Sequence, residues 1–270
     1  LAFISSIHIA YGDNPSQFGI LRVPESSEYC PVVVTIHGGF WKSKYGLGEI
    51  DPLDEDLVRR GYATWNIEYR RVGEDGGGWA GTFHDVVDAV NHLSQLEEHF
   101  PLDLSRVVIL GHSAGGHLAL WLASRTSKIR TDELGSPLLI PIQGVISLAG
   151  VSDLQKMWNI HVEKGISSPV ASFIGGTPQE VPDRYRLASP IELLPLDIEQ
   201  ILVHGDLDCD VPVELSVEYH RRAIELGDKV SLVVLPEMEH FKIIDPSSSA
   251  WDSVTDSLET LLWRKSRSRP

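Results

Sequence analysis

Three groups of residues in this chain could together attack a carbonyl carbon. The first is Gly111-His112-Ser113-Ala114-Gly115, preceded by Val107-Val108-Ile109-Leu110 and followed by His117-Leu118-Ala119-Leu120-Trp121-Leu122. An apolar run, a tight turn and a second apolar run predict strand, elbow and helix. That setting lifts a serine hydroxyl above the carboxyl end of a sheet. The flanking glycines let neighbouring backbone come close, and a helix starting at Ala114 aims its amide dipoles at the same point. Ser113 is the expected nucleophile.

The second group is His37-Gly38-Gly39-Phe40-Trp41, directly after the apolar run Pro31–Ile36. Acyl transfer needs backbone N–H groups pointing at the developing oxyanion, and small residues after a buried strand present them unobstructed. Gly39 and Phe40, with Ala114 after the nucleophile, are the expected donors, and Gly38 is the reserve. His37 is expected to tie this loop down. Trp41 reads as a pocket wall or as core.

The third group supplies an acid and a base. His204-Gly205-Asp206-Leu207-Asp208-Cys209-Asp210-Val211-Pro212 follows an apolar run, and three aspartates compete there to orient an imidazole. The alternation Asp206, Asp208, Asp210 also resembles the start of a calcium loop. Val211 and Val217 stand where such a loop needs Gly and Glu, so that reading fails. Of eleven histidines, His240, in Pro236-Glu237-Met238-Glu239-His240-Phe241, is the one placed to complete the chain order Ser, Asp, His. His84, Asp88 and His92 form a helix stripe about three turns long, too long for one ion to be reached by all three.

These groups need a scaffold, and the chain is long enough to build one. It has 270 residues, 42% of them hydrophobic, which excludes disorder as the dominant state. A net charge of −15 disfavours nucleic acid and anionic membranes as partners. The one basic cluster, Arg264, Lys265, Arg267 and Arg269, reads as a solvated tail. Two cysteines, Cys30 and Cys209, allow at most one bridge and no four-cysteine zinc site. No apolar run approaches the ~20 residues of a membrane span. Residues Leu1 to Ala10 alternate like a strand rather than a signal peptide, so cytoplasm is the default location.

Periodicity predicts an antiparallel pair (Phe3–Tyr11, Gln17–Val23), then strands at Pro31–Ile36, Ala63–Tyr69, Arg106–Leu110, Gly144–Leu148, Ile201–His204 and Val230–Leu235. Helices are predicted at Leu53–Arg60, Phe83–His99, Ala114–Ser124, Val213–Leu226 and Ser249–Trp263. This alternation implies an α/β fold with a mostly parallel central sheet and helices on both faces. Residues Asp153–Pro190 break the rhythm and read as a short cap-like insertion over the carboxyl end of the sheet. The whole chain, 1–270, is expected to be one domain.

The chain resembles the α/β-hydrolase-fold serine hydrolases of the esterase/lipase group. Within it, His37-Gly38-Gly39-Phe40-Trp41 is similar to the His-Gly-Gly-x-Trp loop of kynurenine formamidases (arylformamidases) and bacterial carboxylesterases. Tyr11-Gly12-Asp13, Gly111–Leu118, Gly150-Val151-Ser152-Asp153-Leu154, Ala188-Ser189-Pro190 and His240-Phe241 fit the same relatives. Glu68–Gly73 and Gly76-Gly77-Gly78-Trp79 depart from the formamidase pattern. The resemblance implies Ser113, Asp208 and His240 as the triad, with Asp210 as second choice for the acid, and no cofactor. The implied reaction is cleavage of an ester or aryl-formamide by way of an acyl-enzyme. Phe40 limits room for the acyl group, so short acyl chains are expected. Trp41, Trp79 and Trp158 are the expected substrate contacts, suited to an aromatic substrate. The expected partner is a small molecule, and any self-assembly a homodimer. The alternatives are a hydrolase resembling acylaminoacyl peptidases, and a ligand-binding receptor that keeps the fold.

Overall fold

The computed structural model describes residues 6–25, 28–126, 133, 134 and 136–263. The basic tail cluster and residues Phe3 to Ser5 of the predicted first strand lie outside these. Eight strands form one sheet: β1 (Ser6–Ala10), β2 (Phe18–Arg22), β3 (Cys30–Ile36), β4 (Ala63–Ile67), β5 (Leu102–His112), β6 (Gly144–Leu148), β7 (Glu199–Gly205) and β8 (Val230–Leu235). Their spatial order is β1-β2-β4-β3-β5-β6-β7-β8. β2 pairs antiparallel with β1 and with β4, and every later pairing is parallel.

Between the strands lie α1 (Asp51–Arg59), α2 (Gly81–Asn91), α3 (Leu93–Leu96), α4 (Ala114–Ala123), α5 (Leu154–Glu163), α6 (Pro169–Ile174), α7 (Pro182–Ala188), α8 (Glu214–Glu225) and α9 (Trp251–Trp263). They cover both faces of the sheet. Val32, Val34, Ile36, Val107 and Ile109 enter one core with Phe83 and Val86 of α2, Leu118 of α4 and Tyr219 of α8. The alternate residues Val33, Val108, Leu110 and Ile146 enter a second core with Leu57 of α1 and Trp251 and Leu258 of α9. A strand buried on both faces must be apolar at every position, which is why these runs are unbroken in the sequence.

Most element ends lie within a residue or two of the sequence expectation, and two elements depart further. β5 starts at Leu102 rather than Arg106, because Leu102 and Asp103 pair with Cys30 and Pro31 before the register jumps to Val107 opposite Val32. The polar Asp103, Ser105 and Arg106 at that irregularity bond to one another and hide the strand start. The long helix predicted at Phe83–His99 tightens at His92, whose carbonyl accepts the N–H of Gln95 three residues on, and divides into α2 and α3. Cys30 and Cys209 are both free thiols, so the one bridge the composition allowed is not made. Among the described residues, no helix is long and apolar enough to cross a membrane.

Helices α5, α6 and α7 occupy the region predicted to interrupt the alternation, between β6 and β7. Of these, α5 and α6 pack against the segment after β3. The rings of Phe173 and Trp41 stack at 4.4 Å, and those of His161 and Phe40 meet edge-on at 5.8 Å.

Candidate active site

Ser113 sits between β5 and α4 with φ 56 and ψ −117, a left-handed conformation that a serine holds only under constraint. Its N–H donates to the Leu148 carbonyl at 2.8 Å and its carbonyl accepts from His117 at 3.1 Å, so the turn is fixed from both sides. The glycines around it are required by contact rather than by flexibility. A Cβ on Gly111 would stand 2.0 Å from the Gly115 carbonyl oxygen, and one on Gly115 would stand 2.0 Å from that of Ile36. Helix α4 is buried at all ten residues, so the elbow has no freedom to relax outward.

The loop after β3 lies directly against the serine: a Cβ on Gly38 would meet the Ser113 Cβ at 3.0 Å. Gly39, Phe40 and Trp41 then take φ of 91, 50 and 57, three left-handed residues in succession. Among the described residues, the N–H groups of Gly39, Phe40 and Ala114 donate to no acceptor of the chain. The loop is braced from below. His37 is buried, stacks on Tyr69 at 4.6 Å, and places Nδ1 at 2.9 Å from the Gly38 carbonyl and Nε2 at 2.7 Å from Glu68 Oε1. Glu68 Oε2 in turn accepts from Arg71 at 3.0 Å and from the Leu47 N–H at 3.2 Å. Arg71 continues to Glu74 at 2.7 Å, and Glu74 to the Ser16 hydroxyl at 2.9 Å. His37 therefore ties the loop down, as expected, through partners in the stretch Glu68–Glu74.

His240 Nδ1 donates to Asp208 Oδ2 at 2.5 Å. The other Asp208 oxygen, Oδ1, accepts the N–H groups of Asp210 at 2.9 Å and Val211 at 2.8 Å. Burial alone would raise the Asp208 carboxyl. Hydrogen bonds from His204 and His240, the nearby His240 charge and the Val211 N–H outweigh that, and hold it well below the ordinary carboxylate range. Of the three competing aspartates, Asp208 is the one on the imidazole. Asp206 accepts the Glu237 N–H at 2.7 Å and pins the start of the His240 loop, while Asp210 is exposed.

Two buried histidines that sequence reasoning did not assign complete this side. His204 lies wholly buried, with Nε2 at 2.8 Å from the Val211 carbonyl and 3.3 Å from Asp208 Oδ2, and the Ser216 hydroxyl at 2.7 Å from Nδ1. Its neighbour in the motif run, Asp208, was the available signal. His112 donates from Nε2 to the backbone carbonyl of His240 at 3.1 Å.

The three tryptophans fare differently. Trp41 has 0% exposure, stacked on Phe173 and edge-on to His117 at 5.1 Å. A side chain with no accessible surface touches no substrate, so the expected binding role gives way to core packing. Trp79 is half-buried against Phe83 at 5.6 Å, with the Arg184 guanidinium 5.2 Å over its ring. Trp158 is half-buried on α5 and packs on the same core. The His84, Asp88, His92 stripe is not gathered on one point: His84 bonds the Glu133 carbonyl at 3.0 Å, and His92 lies 6.3 Å from the Trp65 ring.

A mostly parallel eight-stranded sheet, with a strained serine at a strand-to-helix elbow and histidine and aspartate on the loops after its last strands, is the α/β-hydrolase fold. The chain belongs to the BD-FAE family, whose profile matches residues 19–222. It is 24% identical over 238 residues to a kynurenine formamidase of Danio rerio, spanning 88% of this chain and 75% of that protein. Among solved structures, a truncated carbohydrate esterase from gut microbiota is similar with a TM-score of 0.79 and 23% identity, over 95% of this chain and 96% of that one. Esterase B from Lactobacillus rhamnosis is similar with a TM-score of 0.80 and 19% identity, over 98% and 88% respectively. At these identities the structural likenesses carry the fold.

Proposed function

We propose that this α/β-hydrolase, an enzyme acting on ester or amide bonds, works as a serine hydrolase with Ser113 as nucleophile, His240 as general base and Asp208 as the acid that orients it. The observation that carries the reading is the 2.5 Å contact between His240 Nδ1 and Asp208 Oδ2, on a loop that touches the residue preceding Ser113. With Nδ1 committed to the carboxylate, Nε2 is the nitrogen free to take the serine proton.

In the proposed cycle Ser113 Oγ bonds to the carbonyl carbon as its proton passes to His240. The oxyanion rests on the N–H groups of Gly39, Phe40 and Ala114. The leaving group departs with the proton from His240, and water then cleaves the acyl-enzyme by the same route. The substrate class is a small carboxylic ester or aryl-formamide with a short acyl group. Support for a short acyl group comes from Phe40, flanked by Trp41 and His161. Residues 153–190 act as the cap over this side, and Trp79 and Trp158 are the tryptophans left to meet an aromatic substrate.

Turnover of p-nitrophenyl acetate and of N-formylkynurenine, each with the natural protein and Ser113→Ala, tests this. Both activities are expected to vanish in the variant. Formamide cleavage well above the ester rate selects the formamidase reading, and ester cleavage alone selects a carboxylesterase. A folded Ser113→Ala protein that keeps its activity overturns the triad.

A further inference from the structure

We infer that His112, the residue preceding Ser113, is a positioning residue that holds the His240 imidazole in register with the nucleophile; this rests on the triad proposed above. His112 ends β5, so its backbone runs directly into the elbow. Its buried ring lies against two residues of the base loop, 4.5 Å from the His240 ring and 5.6 Å from that of Phe241. Its Nε2–H donates to the His240 carbonyl at 3.1 Å. The donor loop is its third neighbour: a Cβ on Gly38 would come within 3.3 Å of Nδ1 and 3.1 Å of the His112 carbonyl oxygen. One imidazole thus touches the base loop and the oxyanion loop while its own backbone carries the serine.

The ring is neutral. Burial, and then the neighbouring His240 charge, push its pKa down to about 3. With Nε2 donating, Nδ1 is a bare acceptor, and among the described residues it has no hydrogen-bond partner. A buried acceptor left unpaired is unfavourable, and an apolar ring would fill the same space without it. What an imidazole adds at this place is a donor within reach of the His240 carbonyl. His240 is then held at two points, its side chain by Asp208 and its backbone by His112. Released at the second point, the imidazole can turn about the first, and proton transfer needs heavy atoms near 3 Å. A neutral His112 also spares His240 a like charge when it takes up the serine proton.

The test compares His112→Phe, which removes the donor and keeps a planar ring, with His112→Gln, whose amide nitrogen falls near the position of Nε2. With p-nitrophenyl acetate, His112→Phe is expected to lower kcat by ~10–100-fold with KM within about twofold. The rate at which a p-nitrophenyl phosphonate labels Ser113 falls by the same factor. The low-field proton resonance of the Asp208–His240 hydrogen bond shifts or broadens. His112→Gln restores all three readouts to within a few-fold. A folded His112→Phe protein with unchanged kcat and labelling rate overturns the inference, as does a Gln variant as impaired as Phe, which would make the role one of packing. Where His112→Phe does not fold, His112→Asn replaces it, since its shorter amide cannot reach the carbonyl; equal activity of Asn and Gln variants overturns the inference. Activity surviving in Ser113→Ala instead overturns the triad, and this inference with it, so the two failures are separable.

Discussion

Oδ2 of Asp208 receives two imidazoles, His240 at 2.5 Å and His204 at 3.3 Å. The carboxylate is fixed between the ring proposed as the general base and a wholly buried ring that anchors it to α8 through Ser216. Asp208→Asn keeps the shape but leaves His240 in the wrong tautomer, so kcat for p-nitrophenyl acetate should fall by ~10³–10⁴-fold. Asp210→Asn removes an exposed carboxylate and should stay within about threefold. Comparable losses in both variants would mean that the acid has been misassigned.

Gly38 and Gly115 should fail in different ways. At Gly115 an added methyl meets a backbone carbonyl at 2.0 Å that cannot move aside, so Gly115→Ala should not yield a folded protein. At Gly38 the nearest atom is the Ser113 Cβ at 3.0 Å, a contact relieved by a small shift of the loop. Gly38→Ala should fold, with a lower melting temperature by a few degrees, and lose ~10²–10³ in kcat as the proposed oxyanion donors leave their positions. Circular dichroism and steady-state kinetics separate the two outcomes.

Glu68 holds His37, Arg71 and the Leu47 N–H at once, and the residue is buried. Glu68→Gln keeps the volume but leaves Arg71 less well compensated, and should destabilise by about 2–4 kcal/mol. Because the same group braces the loop proposed to hold the oxyanion, kcat should drop as well. A stability loss read from urea unfolding with no change in kcat would uncouple the brace from the loop.

Two buried histidines set a pH limit on stability. Burial lowers His117 to about 4, and burial together with the His240 charge lowers His112 to about 3, against ~6.5 in an unfolded chain. Below pH ~6.5 the unfolded chain therefore binds protons that the folded one refuses. The stability that neutral His117 and His112 contribute is full above that pH and is lost as pH falls toward the folded values. Between pH 7.5 and 5.0 each should account for roughly 2 kcal/mol of lost stability. Urea midpoints at the two pH values should diverge less in His117→Gln than in the natural protein; equal divergence would remove His117 from the account.

The sheet and the chemical motifs were readable because they rest on short local patterns. Val107–Leu110 is apolar at every position since both faces of β5 are covered, and Gly115 is glycine since Ile36 leaves it no room. The choice between Asp208 and Asp210 was not readable from spacing, because both are polar residues of one turn and only the tertiary approach of His240 distinguishes them. His112 was invisible for a related reason: its partner is the His240 carbonyl, 128 positions away, and one histidine in an apolar run carries no period. His204 has its carboxylate four positions on, at Asp208, and only the folded turn shows that the two meet. Trp41 was ambiguous because bulk and aromaticity suit a pocket wall as well as a core, and Phe173, 132 positions away, settles it.

The bracing of the donor loop extends well beyond the loop itself. From His37 it passes through Glu68, Arg71 and Glu74 to Ser16, in the turn of the edge hairpin formed by β1 and β2. The antiparallel margin of the sheet is thereby mechanically joined to the loop proposed to hold the oxyanion. Changes in the hairpin turn are a route by which catalytic efficiency can drift, or be tuned, while the reacting groups themselves stay untouched.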